Sequence, residues 1–240
     1  MSIWRDLDPT ATPEYFAACR VGYEAEERML VDFLRKVERE GDEVDRFFVL
    51  YRFFEMYDHH HDHVRVLQTL EKMDELPCTA PYIYRYIAEA LAGRYGECEL
   101  ALKYLKREAE LLTVDYQTSF EYGELLRLKR LQLFILANDQ PGSETTRHVL
   151  GELHWLTTGS TVYDEFLLPA LERMVQAGST SGDTRVLLQV LWADMMRRRK
   201  FQSWENTDVI ERIESLIERL PPDPPDTEEE RDRSTRRRDR

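Results

Sequence analysis

Apolar side chains return every three or four positions along most of this chain. Phe16, Cys19, Tyr23, Met29, Leu30, Phe33, Leu34 and Val37 follow helical spacing until Gly41 stops the run. Thr12-Pro13-Glu14 supplies an N-cap, a first-turn proline and a first-turn acid, so one helix is expected from there to Gly41. The same periodicity predicts helices over about 43–57 and 63–76, and another opening at Thr79-Ala80-Pro81 and ending near Gly93. A fifth is expected over about 96–113 and a sixth over about 118–137, closed by the turn NDQPG. Ser143 caps a seventh that TTGST, 157–161, ends. An eighth, about 162–177, contains Pro169 and so must kink or begin there. GSTSGD, 178–183, is a linker, followed by helices over about 184–200 and 207–220. No stretch alternates with period two. The chain is therefore predicted to be all-α: about nine or ten helices, joined by short turns into antiparallel hairpins, making a single domain over 1–220.

Two strings repeat. LYRFFEMY and PYIYRYIAEALAGRYGE set Tyr51 and Tyr84 33 positions apart, close to a tetratricopeptide period, and GRYGECELALKYLKREAEL is similar to the second helix of such a repeat. A stack of this kind has a concave face that binds other chains.

Composition agrees with a thin helical array, at 42% apolar and 33% charged residues. A formal net charge of −13 argues against duplex nucleic acid and anionic lipid as partners. Cys19, Cys78 and Cys98 are odd in number, widely spaced and without a CxxC, which points to reduced thiols and a cytoplasmic location. The N-terminus MSIWRDLDPT has no apolar leader region, and the longest apolar run, LQLFILA at 131–137, is too short to span a bilayer, so a soluble protein is expected. PPDPPDTEEERDRSTRRRDR, 221–240, has no aliphatic or aromatic residue and is predicted to be a disordered charged tail with a basic tip.

Signals for catalysis are absent: no GxSxG, no P-loop and no GxGxxG after a strand. A non-catalytic protein without a cofactor is expected. Glutamates on the amphipathic helices read as solvated faces. DHHHDH, 58–63, holds four of the six histidines; on an unbroken helix His59 and His63 share a face, as do Asp58 and Asp62. His59, Asp62 and His63 are thus weak metal candidates without a third ligand from elsewhere, and the plainer reading is a polar turn. Arg197, Arg198, Arg199 and Lys200 complement the C-terminal end of a helix dipole, or form a docking patch for an acidic segment.

Tyr84-Arg85-Tyr86-Ile87-Ala88-Glu89 resembles the YRYLAE string of the 14-3-3 family. AEERMLVDFLRKVEREG at 25–41, VRVLQTLE at 64–71 and VLGELHWLTTGSTVYDEFLLPALERMV at 149–175 are similar to further helices of that family, and together these cover about a third of the chain. The resemblance implies that Arg85 and Tyr86 clasp a phosphoserine or phosphothreonine, with Arg65 as a basic partner. The family's spacing, counted back from Arg65, lands on His61 and Phe54, so His61 and the nearby Arg52 complete the expected set. Lys129 or Arg130 stands where the family has a backbone-clamping asparagine. The implied function is an adaptor that binds a phosphorylated or acidic peptide in a concave groove, with homodimerisation left open. The alternatives are a structural subunit of tetratricopeptide type and a metal-dependent enzyme centred on DHHHDH. The adaptor reading requires Arg65 and Arg85 to converge on one hollow instead of being held by carboxylates in the core.

Overall fold

A computed structural model of the chain describes residues 12–78, 80–112, 119–156, 166–199 and 207–221. Among these residues there are helices and no strand, as the periodicity predicts. None of the described helices is long and apolar enough to cross a membrane. By its packing the chain falls into two compact units, Met1–Thr113 and Val114–Arg240.

The first unit contains α1 (Pro13–Val21), α2 (Tyr23–Glu40), α3 (Glu43–His59), α4 (His63–Met73), α5 (Pro81–Ala90) with a π-helical turn at Leu91–Tyr95, and α6 (Cys98–Leu111). Thr12 caps α1 as expected, its side chain accepting from the Tyr15 N–H at 3.2 Å. The single helix expected from Thr12 to Gly41 is instead two. Gly22 separates them at φ 131°, ψ 175°, a conformation open essentially to glycine alone, and its N–H closes α1 on the Ala18 carbonyl at 3.0 Å. The apolar spacing runs straight through this break, since spacing alone does not register one residue at positive φ.

Buried positions recur along this unit. Leu50, Phe53, Phe54, Tyr57 and Asp58 of α3 are matched 34 positions later by Tyr84, Ile87, Ala88, Leu91 and Ala92, all buried. Val66, Thr69, Leu70 and Met73 of α4 are matched 35 positions later by Ala101, Tyr104, Leu105 and Glu108. The extra residue falls where the π-turn lies, and a π-turn is a one-residue insertion in a helix. The packing register is thus one residue away from the 33-residue spacing of the Tyr-Arg strings: Tyr51 is the packing counterpart of Arg85, not of Tyr84.

Side chains tie these helices together. Tyr84 meets Phe47 of α3 edge-on at 6.0 Å and Tyr104 of α6 at 5.9 Å. Asp74, the C-cap of α4, accepts from the Tyr104 hydroxyl at 2.7 Å and Arg107 at 2.6 Å, and also from Lys103.

The second unit contains α7 (Ser119–Asp139), α8 (Glu144–Leu156), α9 (Leu167–Gln176), α10 (Gly182–Arg199) and α11 (Thr207–Arg219). α7 carries LQLFILA and is buried on several sides, packing against α8 and α9. Ser143 accepts from the Thr146 N–H at 3.1 Å, so the expected cap of α8 is in place. α9 starts at Leu167, which puts Pro169 in the first turn, where a missing N–H breaks no helical hydrogen bond. The expected segments 157–165 and 200–206, and the tail beyond Pro221, lie outside the described residues.

Candidate functional site

The DHHHDH segment folds as the turn between α3 and α4, not as a continuous helix. His60 caps α3, His61 takes φ 58°, and Asp62 caps α4 by accepting from the Arg65 N–H at 3.2 Å. Breaking the helix here parts His59 from His63. His59 is exposed beside His60. His63 stacks on Tyr95 at 4.5 Å, with its Nε2 3.3 Å from Glu97. Among the described residues no three His, Cys, Asp or Glu side chains form a group able to hold a metal ion. Asp58 is buried and accepts from Arg94 and from the Tyr95 hydroxyl at 3.1 Å. Burial and then that carboxylate push the Tyr95 hydroxyl up to about 12.

Arg65 lies at the centre of a network joining α2, α3 and α4. Its Nη1 donates to the Tyr23 oxygen at 2.9 Å and to Glu27 Oε1 at 2.7 Å, and its Nε is 3.5 Å from Asp62. The Tyr57 hydroxyl donates to the same Glu27 oxygen at 2.7 Å, and the Tyr23 hydroxyl donates to Asp62 at 3.0 Å. The guanidinium carbon lies 5.4 Å and 5.5 Å from the centres of the Tyr23 and Tyr57 rings. Desolvation alone would lower the Arg65 pKa, but Glu27 and Tyr23 outweigh it and hold it above the usual arginine value. Arg65, its side chain 42% exposed, thus serves as a cross-brace at the surface.

Arg85 is only 4% exposed. Its Nη1 is 3.5 Å from Glu108, which is 0% exposed, and its Nε is 3.8 Å from Glu89. To clasp a phosphate, Arg85 would have to leave Glu108 and abandon a buried carboxylate. Tyr86, by contrast, points outward at 47% exposure, with the Arg85 guanidinium 5.7 Å from its ring. Arg52 pairs with Glu55 at 2.5 Å, one turn along the outer side of α3, and His61 is exposed in its turn. In the second unit Lys129 donates to Glu152 at 2.8 Å, and Arg130 is 2% exposed. Arg85 and Tyr86 are in contact, but Arg65 and Arg85 are each committed to carboxylates of their own.

What α3 and α5 do present together is aromatic. Tyr82 (50% exposed) and Tyr86 lie one turn apart on α5 with ring centres 6.2 Å apart, while Ile83, Tyr84, Ile87 and Ala88 between and beyond them are buried. Tyr51 of α3 is half-buried and stacked on Phe54 at 5.9 Å, within electrostatic reach of Tyr86. Its hydroxyl is pushed well above the ordinary tyrosine value by burial first, then by Glu55, with Tyr86 adding to the rise. This face has rigid aromatic surface, hydroxyl groups and one arginine, and no nucleophile paired with a base. Such a surface suits binding.

The residues that sequence reasoning missed are Tyr23, Glu27, Tyr57 and Asp74. The signal for the first two is their i, i+4 spacing on α2. Glutamates were expected to be solvated, yet Glu27 and Glu108 are the counter-charges of the two arginines singled out as ligands. Comparison of the chain with protein-family models, curated proteins and solved structures finds no match.

Proposed function

We propose that the protein is a non-catalytic interaction adaptor whose first unit is tetratricopeptide-like, with α3–α4 and α5–α6 as successive hairpins. Support comes from buried positions that recur at 34 residues, the tetratricopeptide period, across α3 and α5. In this reading the first helices of successive hairpins line the binding face, and Tyr51, Tyr82 and Tyr86 stand on those helices. The carrying observation is the exposure of Tyr82 and Tyr86 side by side on a helix otherwise buried around them. Tyrosine is the side chain that offers large apolar area at low ordering cost together with a hydrogen-bonding tip.

The ligand is an extended peptide with apolar and acidic residues. Its apolar side chains lie against Tyr82 and Tyr86, and Arg52 exchanges Glu55 for an acidic residue of the peptide. The 14-3-3-like version, in which Arg85 grips a phosphate, has less support, because Arg85 faces Glu108 in the core. Replacing Tyr82 and Tyr86 by serine tests the proposal. The variant is expected to keep its helical circular dichroism and lose at least tenfold in affinity for the peptide partner, since each truncation at an aromatic anchor costs about 1–2 kcal/mol or more. Unchanged affinity in a folded variant would remove the binding face.

A further inference from the structure

Helices α9 and α11 of the second unit flank a groove of about 430 Å³, lined by Glu172 of α9 and by Asp208, Glu211, Ser215 and Arg219 of α11. Its charges are sorted along α11. Asp208 and Glu211 stand at the N-terminal end, exposed and without an ion pair among the described residues. Arg219 stands at the C-terminal end, and the Arg212–Glu172 pair, at 2.7 Å, lies between. The chain leaves α11 at the Arg219 end. There Arg185 of α10 donates to the Leu220 carbonyl at 3.5 Å and to the Pro221 carbonyl at 2.5 Å, which fixes where the following residues start. Those residues, 222–240, are sorted as well. Asp223, Asp226, Glu228, Glu229 and Glu230 come first with no base among them, and 231–240 then holds six arginines against two aspartates.

We propose that the basic tip of the chain's own tail docks in the α9–α11 groove as an electrostatic strap, with Arg236, Arg237 and Arg238 against Asp208 and Glu211. The order of the charges makes the match. A segment that starts beside Arg219 and returns along α11 sets its acids next to Arg185 and Arg219 and its arginines next to Asp208 and Glu211. The reverse order would repel at both ends. The reach is ample: α11 spans about 20 Å at 1.5 Å per residue, and an extended proline-rich chain advances about 3.1 Å per residue, so about seven residues cover it. Arg236 stands 15 positions beyond Pro221. Contact through charge needs no apolar side chain from a segment that has no aliphatic or aromatic residue, and it is screened by salt. Groove and tail both belong to the second unit, so the strap goes beyond the tyrosine-face reading and does not depend on it.

The test is ¹H–¹⁵N NMR of the full chain at low and at high sodium chloride. Raising the salt is expected to shift the amides of Asp208, Glu211 and Ser215 more than those of other helices, and to lower the heteronuclear NOE of the tip. Arg236→Glu, Arg237→Glu and Arg238→Glu together produce the same groove shifts at low salt without added chloride. Adding Asp208→Arg and Glu211→Arg to that variant exchanges the charges on both sides and restores the high NOE of the tip. All four groups changed in this way on α11 and the tail are surface or tail residues, and the wild-type salt titration stands by itself if a variant does not fold. Groove amides at the same positions in wild type and tip variant, or salt shifts spread evenly over all helices, overturn the strap. Shifts that vanish on dilution put another copy's tail in the groove and overturn it as well.

Discussion

Arg85 and Glu108 are the clearest case of a side chain whose role depends on what lies opposite it. Each is almost wholly buried, so removing one leaves the other as an uncompensated charge in the core. Arg85→Met alone is expected to destabilise the fold by about 3–5 kcal/mol in urea titration, whereas Arg85→Met with Glu108→Leu is expected to cost much less than either single change. A neutral single variant would show that the pair is solvated in solution. Asp74 gives a second residue-level prediction. Burial alone would raise its pKa, but hydrogen bonds from Lys103 and Tyr104 and the charge of Arg107 hold it below the ordinary aspartate value of 3.8. A group whose folded pKa is depressed stabilises fully above its unfolded pKa and loses that contribution as pH falls through the folded value. Asp74→Asn should therefore flatten the loss of stability below about pH 4, as read by denaturation midpoints across pH. An identical acid limb in wild type and variant would contradict it. At this scale the sequence showed which arginines stand out, through the Tyr-Arg strings. It did not show their partners, because Glu108 lies on the next helix but one turn of packing decides whether it meets Arg85 or water.

Among the helices, what was legible and what was not divides along a physical line. Helices α3 to α8 follow from apolar periodicity, caps and breakers, which are local and written in neighbouring residues. The break at Gly22 and the π-turn at Leu91–Tyr95 depend on backbone conformation at single positions, and apolar spacing passes over both. The π-turn also explains why matching Tyr51 to Tyr84 by string misplaces the packing by one residue. Gly22 offers the sharper test. A Cβ there would touch nothing within 4 Å, so Gly22→Ala isolates the backbone term. It should cost about 1–3 kcal/mol in chemical denaturation while leaving the helix content intact. A cost near zero would mean that α1 and α2 join in solution as one helix.

For the whole molecule, the all-helical class was legible because no segment carries a period-two pattern, while the carboxylates that pair with Arg65, Arg85 and Lys129 were not, because they lie on other helices. Glu27, Asp62, Glu108 and Glu152 take up Arg65, Arg85 and Lys129, while Tyr82 and Tyr86 of α5 stay exposed. The account therefore separates two kinds of adaptor that share a helical scaffold. The most direct measurement is binding of the purified chain to an array of matched phosphorylated and unphosphorylated peptides, alongside Arg85→Lys and the Tyr82→Ser/Tyr86→Ser variant. The account predicts that the peptides selected bind with or without phosphate, that Arg85→Lys retains them if folded, and that the tyrosine variant loses them. Binding that requires phosphate and disappears in a folded Arg85→Lys protein, with the tyrosine variant unaffected, would contradict it.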